Sequence, residues 1–245
     1  MLAGEYKKQL IEKSNIMESE LMLEIMNTNE EDLTDLVVCE NDISKAIEKL
    51  NENSGPGPDE IPAIFLVKTN QVISIPLMII LKKSIANGEI PEIYKMAYIT
   101  PIHKGGKKCK HQPESYRPVS LTSHIMKIYE RIIAKNIIQH LIRNQLFNKN
   151  QHGFVPGKST QTQLLLYYKD IYEALQEGIR IDTVFLDFAR AFDKVDHEIL
   201  LNKIVKHKIK GKLAIWIKEF LNQRKFRVVA NNAMSEEEEV TSGVP

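Results

Sequence analysis

The residues with most chemical promise lie in Val184-Phe185-Leu186-Asp187-Phe188-Ala189-Arg190-Ala191-Phe192-Asp193-Lys194-Val195-Asp196-His197. Here a carboxylate closes an apolar run just where the chain must turn. An acid so placed costs free energy unless it meets a cation or several donors. Two partners would satisfy Asp187: a divalent metal of the kind used in phosphoryl transfer, or backbone N–H groups at the end of a strand. Asp196, just before Glu198-Ile199-Leu200-Leu201, reads as a helix N-cap, and Asp193 as a turn residue.

Two further clusters carry charge or phosphate-friendly backbone. In the first, Lys104 and Arg117 flank a basic loop and could together meet a triphosphate, one as a point charge and one as a fork. An ordinary basic surface hairpin accounts for the same residues. The second is Gln151-His152-Gly153-Phe154-Val155-Pro156-Gly157-Lys158-Ser159-Thr160, which leads into a helix with Ser159 or Thr160 as cap. A helix start with free N–H groups can hold a backbone phosphate. The glycine spacing is not that of a P-loop.

These clusters need elements to hold them. Residues 5–27 read as a helix, with Leu10, Met17, Leu21 and Ile25 on one stripe. Asn41–Leu50 is a second, short helix. Ser54-Gly55-Pro56-Gly57-Pro58-Asp59 interrupts regular structure and marks a boundary. It divides an acidic helical extension, residues 1–53, from residues 54–245. Ile61–Lys68 and Val72–Asn87 read as helices. Ala97–His103 reads as a strand that Pro101 confines to an edge or a bulge. Ser123–Asn144 is the clearest helix, capped by Ser123. Thr160–Glu177 is another helix, Thr183–Phe188 a strand, and Asp196–Lys206 and Leu213–Asn222 two more helices. Phe226–Ala230 and Glu239–Thr241 read as a hairpin pair. The order implies an α+β or α/β chain.

The chain has 245 residues, 43% hydrophobic and 27% charged, the composition of a globular protein. Cys39 and Cys109 lack paired spacing, which argues against a disulfide-built fold. The longest apolar run, Ile75–Leu81, is too short to span a bilayer. The net charge of +1 hides an asymmetry: residues 1–60 hold 5 basic and 15 acidic side chains, and residues 101–160 hold 11 and 2. Such a basic field gathers polyanions.

In this order, Gly55-Pro56-Gly57-Pro58-Asp59, Tyr116-Arg117-Pro118-Val119-Ser120-Leu121, Gln151–Thr160, Phe185–His197 and Ser242-Gly243-Val244-Pro245 resemble the reverse transcriptase domain of jockey-like non-LTR retrotransposons. The likeness spans about residues 36–245. It implies an α+β right-hand polymerase reduced to fingers and the first part of the palm, helix-rich with a small antiparallel sheet. It implies nucleotidyl transfer from dNTPs to the 3′-hydroxyl of a DNA primer on an RNA template, with two Mg²⁺ ions. Asp187 would be a catalytic metal ligand, joined by the backbone carbonyl of Phe188. Lys104 and Arg117 would neutralise the triphosphate, and Phe192 would crowd the sugar 2′ position. Gly153, Phe154, Gly157, Lys158 and Ser159 would meet the nucleic-acid strand. No membrane partner is implied. The family's habit of priming at a chromosomal nick favours the nucleus over the cytoplasm.

The sequence departs from the family pattern at three places. Val155 replaces the arginine of Gly-Phe-Arg-Pro-Gly, and Glu60 the glycine of Pro-Asp-Gly-Ile-Pro. The third departure is that the chain stops before the Asp-Asp pair that completes the family's metal site. One carboxylate cannot hold two Mg²⁺ ions against their repulsion. The chain alone is therefore expected to be inactive. The alternative to a polymerase piece is a non-catalytic nucleic-acid-binding remnant.

Overall fold

The structure, a computed structural model, describes residues 18–107, 109–230 and 233–244. Helix α1 covers residues 18–26. It is followed by α2 (Glu40–Ile47), α3 (Ala63–Lys68) and α4 (Asn70–Asn87), then strands β1 (Met96–His103) and β2 (Tyr116–Leu121). Next come α5 (His124–Arg143), α6 (Thr160–Gln176), α7 (His197–Lys206) and α8 (Gly211–Leu221). Strands β3 (Lys225–Ala230), β4 (Ala233–Met234) and β5 (Glu238–Glu239) close the chain. Leu10 and Met17 of the expected first stripe lie outside the described residues. No described helix is long and apolar enough to cross a membrane.

The chain divides into two compact units, Met1–Ile137 with Phe192–Pro245, and Ile138–Ala191. The first holds one apolar core. Leu21 and Ile25 of α1, Ile43 and Ile47 of α2, Leu81 and Ile85 of α4, Ile128 and Tyr129 of α5, and Leu213 and Trp216 of α8 are all buried in it. The apolar stripe of the acidic segment thus packs into the core that α5 and α8 share. Two aromatic side chains bury their bodies and still satisfy their polar tips, as buried Tyr and Trp must. Tyr129 donates its hydroxyl to the Leu77 carbonyl at 3.0 Å, and Trp216 donates Nε1–H to Ser84 Oγ at 2.8 Å. The chain after α1 is tied to the α7–α8 loop: Leu33 N–H donates to the Lys208 carbonyl at 2.8 Å, and Lys210 N–H to the Leu33 carbonyl at 3.0 Å.

The sheet of this unit is small and mixed, in the order β2-β1-β3-β4, with β5 also on β3. β1 runs antiparallel to β2 and parallel to β3. The parallel pairing covers only Met96–Ile99. Beyond Ile99, β1 is paired on one side alone among the described residues, and Pro101 sits there, opposite Pro118. Neither proline has an N–H to donate, so both are tolerated only where no second neighbour needs one.

The Gly/Pro-rich segment docks on the start of α5. Ser123 caps that helix, its Oγ accepting from the N–H of Ile125 at 3.1 Å and of Met126 at 3.3 Å. The same hydroxyl donates to Asp59 Oδ2. His124 Nε2 meets the Gly55 carbonyl at 2.9 Å. Gly57 lies so close that a Cβ there would stand 2.7 Å from Ser123 N and from the carbonyl carbon and oxygen of Thr122.

The second unit contains the end of α5, a loop, α6 and the segment leading to residue 191. Ser159 is the N-cap of α6, accepting from Thr162 N–H at 3.2 Å, while Thr162 Oγ1 accepts from Ser159 N–H at 2.9 Å. The sequence expectation of a strand over Thr183–Phe188 is not met: residues 179–188 have no regular secondary structure. Val184, Phe185, Leu186 and Phe188 are exposed. Local β-propensity cannot make a strand without a neighbour to bond, and none of the described strands pairs with this segment.

Candidate nucleotide and nucleic-acid site

The β1–β2 hairpin positions the two basic side chains singled out from the sequence. Ile102 opposes Arg117 and His103 opposes Tyr116. The ladder continues one step further, with Lys104 N–H donating to the Ser115 carbonyl at 2.8 Å. Side chains alternate between faces, so Lys104 and Arg117 stand on the same face as diagonal neighbours, with about 7–8 Å between their backbone positions. Both are exposed. Lys104 Nζ rests on the Glu114 carbonyl at 2.6 Å. On the opposite face His103 and Tyr116 meet edge to face, with centroids 5.2 Å apart. Tyr116 donates its hydroxyl to the Lys110 carbonyl at 2.9 Å, which ties the basic loop back to the hairpin. A concavity of about 640 Å³ opens beside it, lined by Thr100, Lys110, His111, Tyr116 and Ala230 among others.

The Gly153–Ser159 residues form the loop that enters α6. Phe154 adopts φ 61° and Gly157 φ 77°. Phe154 is 85% exposed. Lys158 turns its Nζ inward, onto the carbonyls of Lys149 at 2.5 Å and Gln151 at 2.9 Å. His152 is buried and its Nδ1 pairs with Thr162 Oγ1 at 2.7 Å, while its Nε2 has no partner among the described residues. Thr162 therefore braces both the loop and the helix start, a role the sequence pattern did not reveal.

Asp187 lies in the irregular segment after the exposed Val184-Phe185-Leu186, in the second unit, and it is itself exposed. Tyr167 holds this segment, donating to Thr183 Oγ1 at 3.2 Å and packing on Phe185 with centroids 6.2 Å apart. Magnesium requires about six hard oxygen donors. Asp187 and the Phe188 carbonyl are of the right chemistry but too few. Among the described residues, no group of three or more His, Cys, Asp or Glu is placed to hold a metal. The described residues therefore do not complete a magnesium site.

Phe192 belongs to the first unit, on the turn before α7, and is 58% exposed. Asp196 caps α7 as the sequence suggests, accepting from Ile199 N–H at 2.9 Å. The same unit contains two oppositely charged groups, both shifted by burial, that sequence reasoning missed. Arg224 is 6% exposed, lies 5.4 Å over the Phe220 ring and leaves Nε without a partner among the described residues. Burial pushes the carboxyl of Glu130, on α5, up to about 7, against the pull of Arg224 and Lys127. Burial likewise lowers the Arg224 value. Neither residue stands in a recognisable motif; only the fold brings them together.

Comparison with known proteins matches residues 102–245 to the family described as reverse transcriptase (RNA-dependent DNA polymerase). The chain is 33% identical over 205 residues to the probable RNA-directed DNA polymerase from transposon BS of Drosophila melanogaster, covering 83% of this chain and 22% of the relative. It is 30% identical over 213 residues to the probable RNA-directed DNA polymerase from transposon X-element of the same species, covering 87% and 23%. It is also 30% identical over 205 residues to the RNA-directed DNA polymerase from mobile element jockey of that species, covering 83% and 22%. The chain thus spans about a fifth of the length of the curated relatives it matches. The family is generally dependent on divalent metal. A helix-rich chain with a small mixed sheet fits a fingers-and-palm fragment, and by the match of more than half its residues it belongs to the reverse transcriptase family, of the jockey-like non-LTR retrotransposon kind.

Proposed function

We propose that this chain is the nucleotide-handling part of an RNA-directed DNA polymerase, acting on dNTPs, an RNA template and a DNA primer, inside the cell, in the nucleus or the cytoplasm, with the family's habit favouring the nucleus. The observation that carries the reading is the hairpin register that sets Lys104 and Arg117 on one face. An ammonium and a guanidinium at that spacing suit the oxygens of a triphosphate: one neutralises, the other forks. Phe192 stands beside the sugar, where its bulk rejects a 2′-hydroxyl. Gly153, Phe154, Gly157, Lys158 and Ser159 lie against a strand backbone. Asp187 and the Phe188 carbonyl would supply two of the oxygens that Mg²⁺ takes.

The reading is tested by titrating the chain with a fluorescent deoxynucleoside triphosphate. Lys104→Ala and Arg117→Ala each remove a charge-assisted contact, expected to weaken binding roughly tenfold. Arg117→Lys keeps the charge and loses the fork, so it recovers only part of the affinity. Lys45→Ala, on α2, is the control. Equal affinity for all four variants refutes the reading. A non-catalytic nucleic-acid binder is the second reading, favoured by the shortage of metal donors among the described residues. The two part on primer extension with Mg²⁺: extension by the chain excludes the second.

A further inference from the structure

The segment Ser242-Gly243-Val244 is fastened to the turn that carries Phe192 by three hydrogen bonds, and to the start of α7 by a fourth. Val244 N–H donates to the Phe192 carbonyl at 3.1 Å, and Gly243 N–H to the Val195 carbonyl at 2.8 Å. Ser242 Oγ donates to the Asp193 carbonyl at 3.0 Å. His197 Nε2 lies 2.7 Å from the Gly243 carbonyl; that oxygen can only accept, so Nε2 carries the proton. Three carbonyls of the turn, those of Phe192, Asp193 and Val195, are thus held by one short segment.

We infer that His197 and Gly243 are positioning residues for Phe192, and so set how the ring meets the nucleotide sugar. Both ends of the clamp are anchored. Val244 packs against the hydrophobic core, and its amide holds the Phe192 carbonyl. His197 opens α7, a helix fixed by its Asp196 cap, and holds Gly243 from the other side. Gly243 itself is buried at φ 90°, and a Cβ there would lie 3.0 Å from Asp193 Cα, Asp193 O and Phe192 O. Only glycine allows the approach without moving the Phe192 carbonyl.

The effect on sugar choice rests on the reading of Phe192 as the residue beside the 2′ position, and the experiment separates the two. The chain is labelled with 4-fluorophenylalanine, and the Phe192 resonance is assigned by its loss in Phe192→Leu. His197→Ala and Gly243→Ala are expected to shift and broaden that line, and His197→Gln, which keeps a donor, to restore it. A line unmoved in both alanine variants overturns the clamp. So does exchange of the Gly243 and Val244 amides at the unprotected rate in the unsubstituted chain, a result that needs no variant to fold. In titrations with fluorescent deoxy- and ribonucleoside triphosphates, His197→Ala is expected to lower the preference for dNTP over rNTP, as a ratio of Kd, about tenfold, with His197→Gln recovering it. A ratio unmoved in His197→Ala while Phe192→Val collapses it overturns the positioning role. A ratio unmoved in Phe192→Val overturns the sugar reading and leaves the clamp to the fluorine result.

Discussion

Gly55 and Gly57 stand two residues apart in one Gly-Pro repeat, yet the structure assigns them opposite tolerance. A Cβ at Gly57 would meet three backbone atoms at 2.7 Å, against 3.4 Å for the shortest ordinary contact. No side chain can swing aside, so the loop must back off by about 0.7 Å. That retreat stretches the contact of His124 Nε2 with the Gly55 carbonyl, now 2.9 Å, past hydrogen-bonding range. His124 is buried and its Nδ1 has no partner among the described residues, so the ring would lose the polar contact described for it. The bond between Ser123 and Asp59 is strained in the same step. One buried group left unsatisfied and one weakened hydrogen bond together amount to roughly 2–4 kcal/mol. For a chain of this size that lowers Tm by roughly 5–15 °C. A Cβ at Gly55 meets nothing within 4 Å. Gly55→Ala is therefore expected to be neutral, or stabilising by about 0.5 kcal/mol through the unfolded chain. Thermal melting followed by circular dichroism on the two variants decides the matter. A Gly57→Ala variant that melts within about 2 °C of the parent, or a Gly55→Ala variant that falls as far as Gly57→Ala, refutes the close-packing argument.

Two other perturbations follow from the same unit. Asp196→Ala removes the cap of α7 and is expected to cost about 1 kcal/mol in urea melts, with Asp196→Asn retaining most of it; equal losses for both would show that the cap bond carries no weight. Glu130 has a folded value near 7 against 4.5 when unfolded, so between those values the folded chain binds more protons than the unfolded one. Stability tied to this group is complete below pH 4.5 and falls as pH rises to about 7, by at most roughly 3 kcal/mol. Glu130→Gln is expected to flatten that part of the stability curve, and a curve of unchanged slope would refute the burial argument.

Local signals were readable where their causes are local. The Ser123 and Asp196 caps, the Ser159 start of α6 and the apolar face of α5 depend on neighbours within a turn or two. The edge character of Pro101 was readable for the same reason, since a missing N–H is a property of the residue itself. The placing of Lys104 and Arg117 on one face needed the hairpin register, which the loop between them leaves open. Long-range arrangements left no trace in spacing: the docking of Gly57 on Thr122 and Ser123, the burial of Glu130 near Arg224, and the Gly243 clamp. The Thr183–Phe188 segment shows the opposite error. Its residues are those of a strand, but propensity supplies no partner, and among the described strands none pairs with it.

The parallel pairing of β1 with β3 has a consequence for how the chain comes into being on the ribosome. The hairpin partner of β1 follows within a short loop, whereas Met96 must wait for Lys225, after α5 to α8 have all been made. Contacts of such wide separation form late and slow the search for the native state. Through most of translation the backbone of Met96–Ile99 therefore presents an open row of donors and acceptors, available to any other nascent chain.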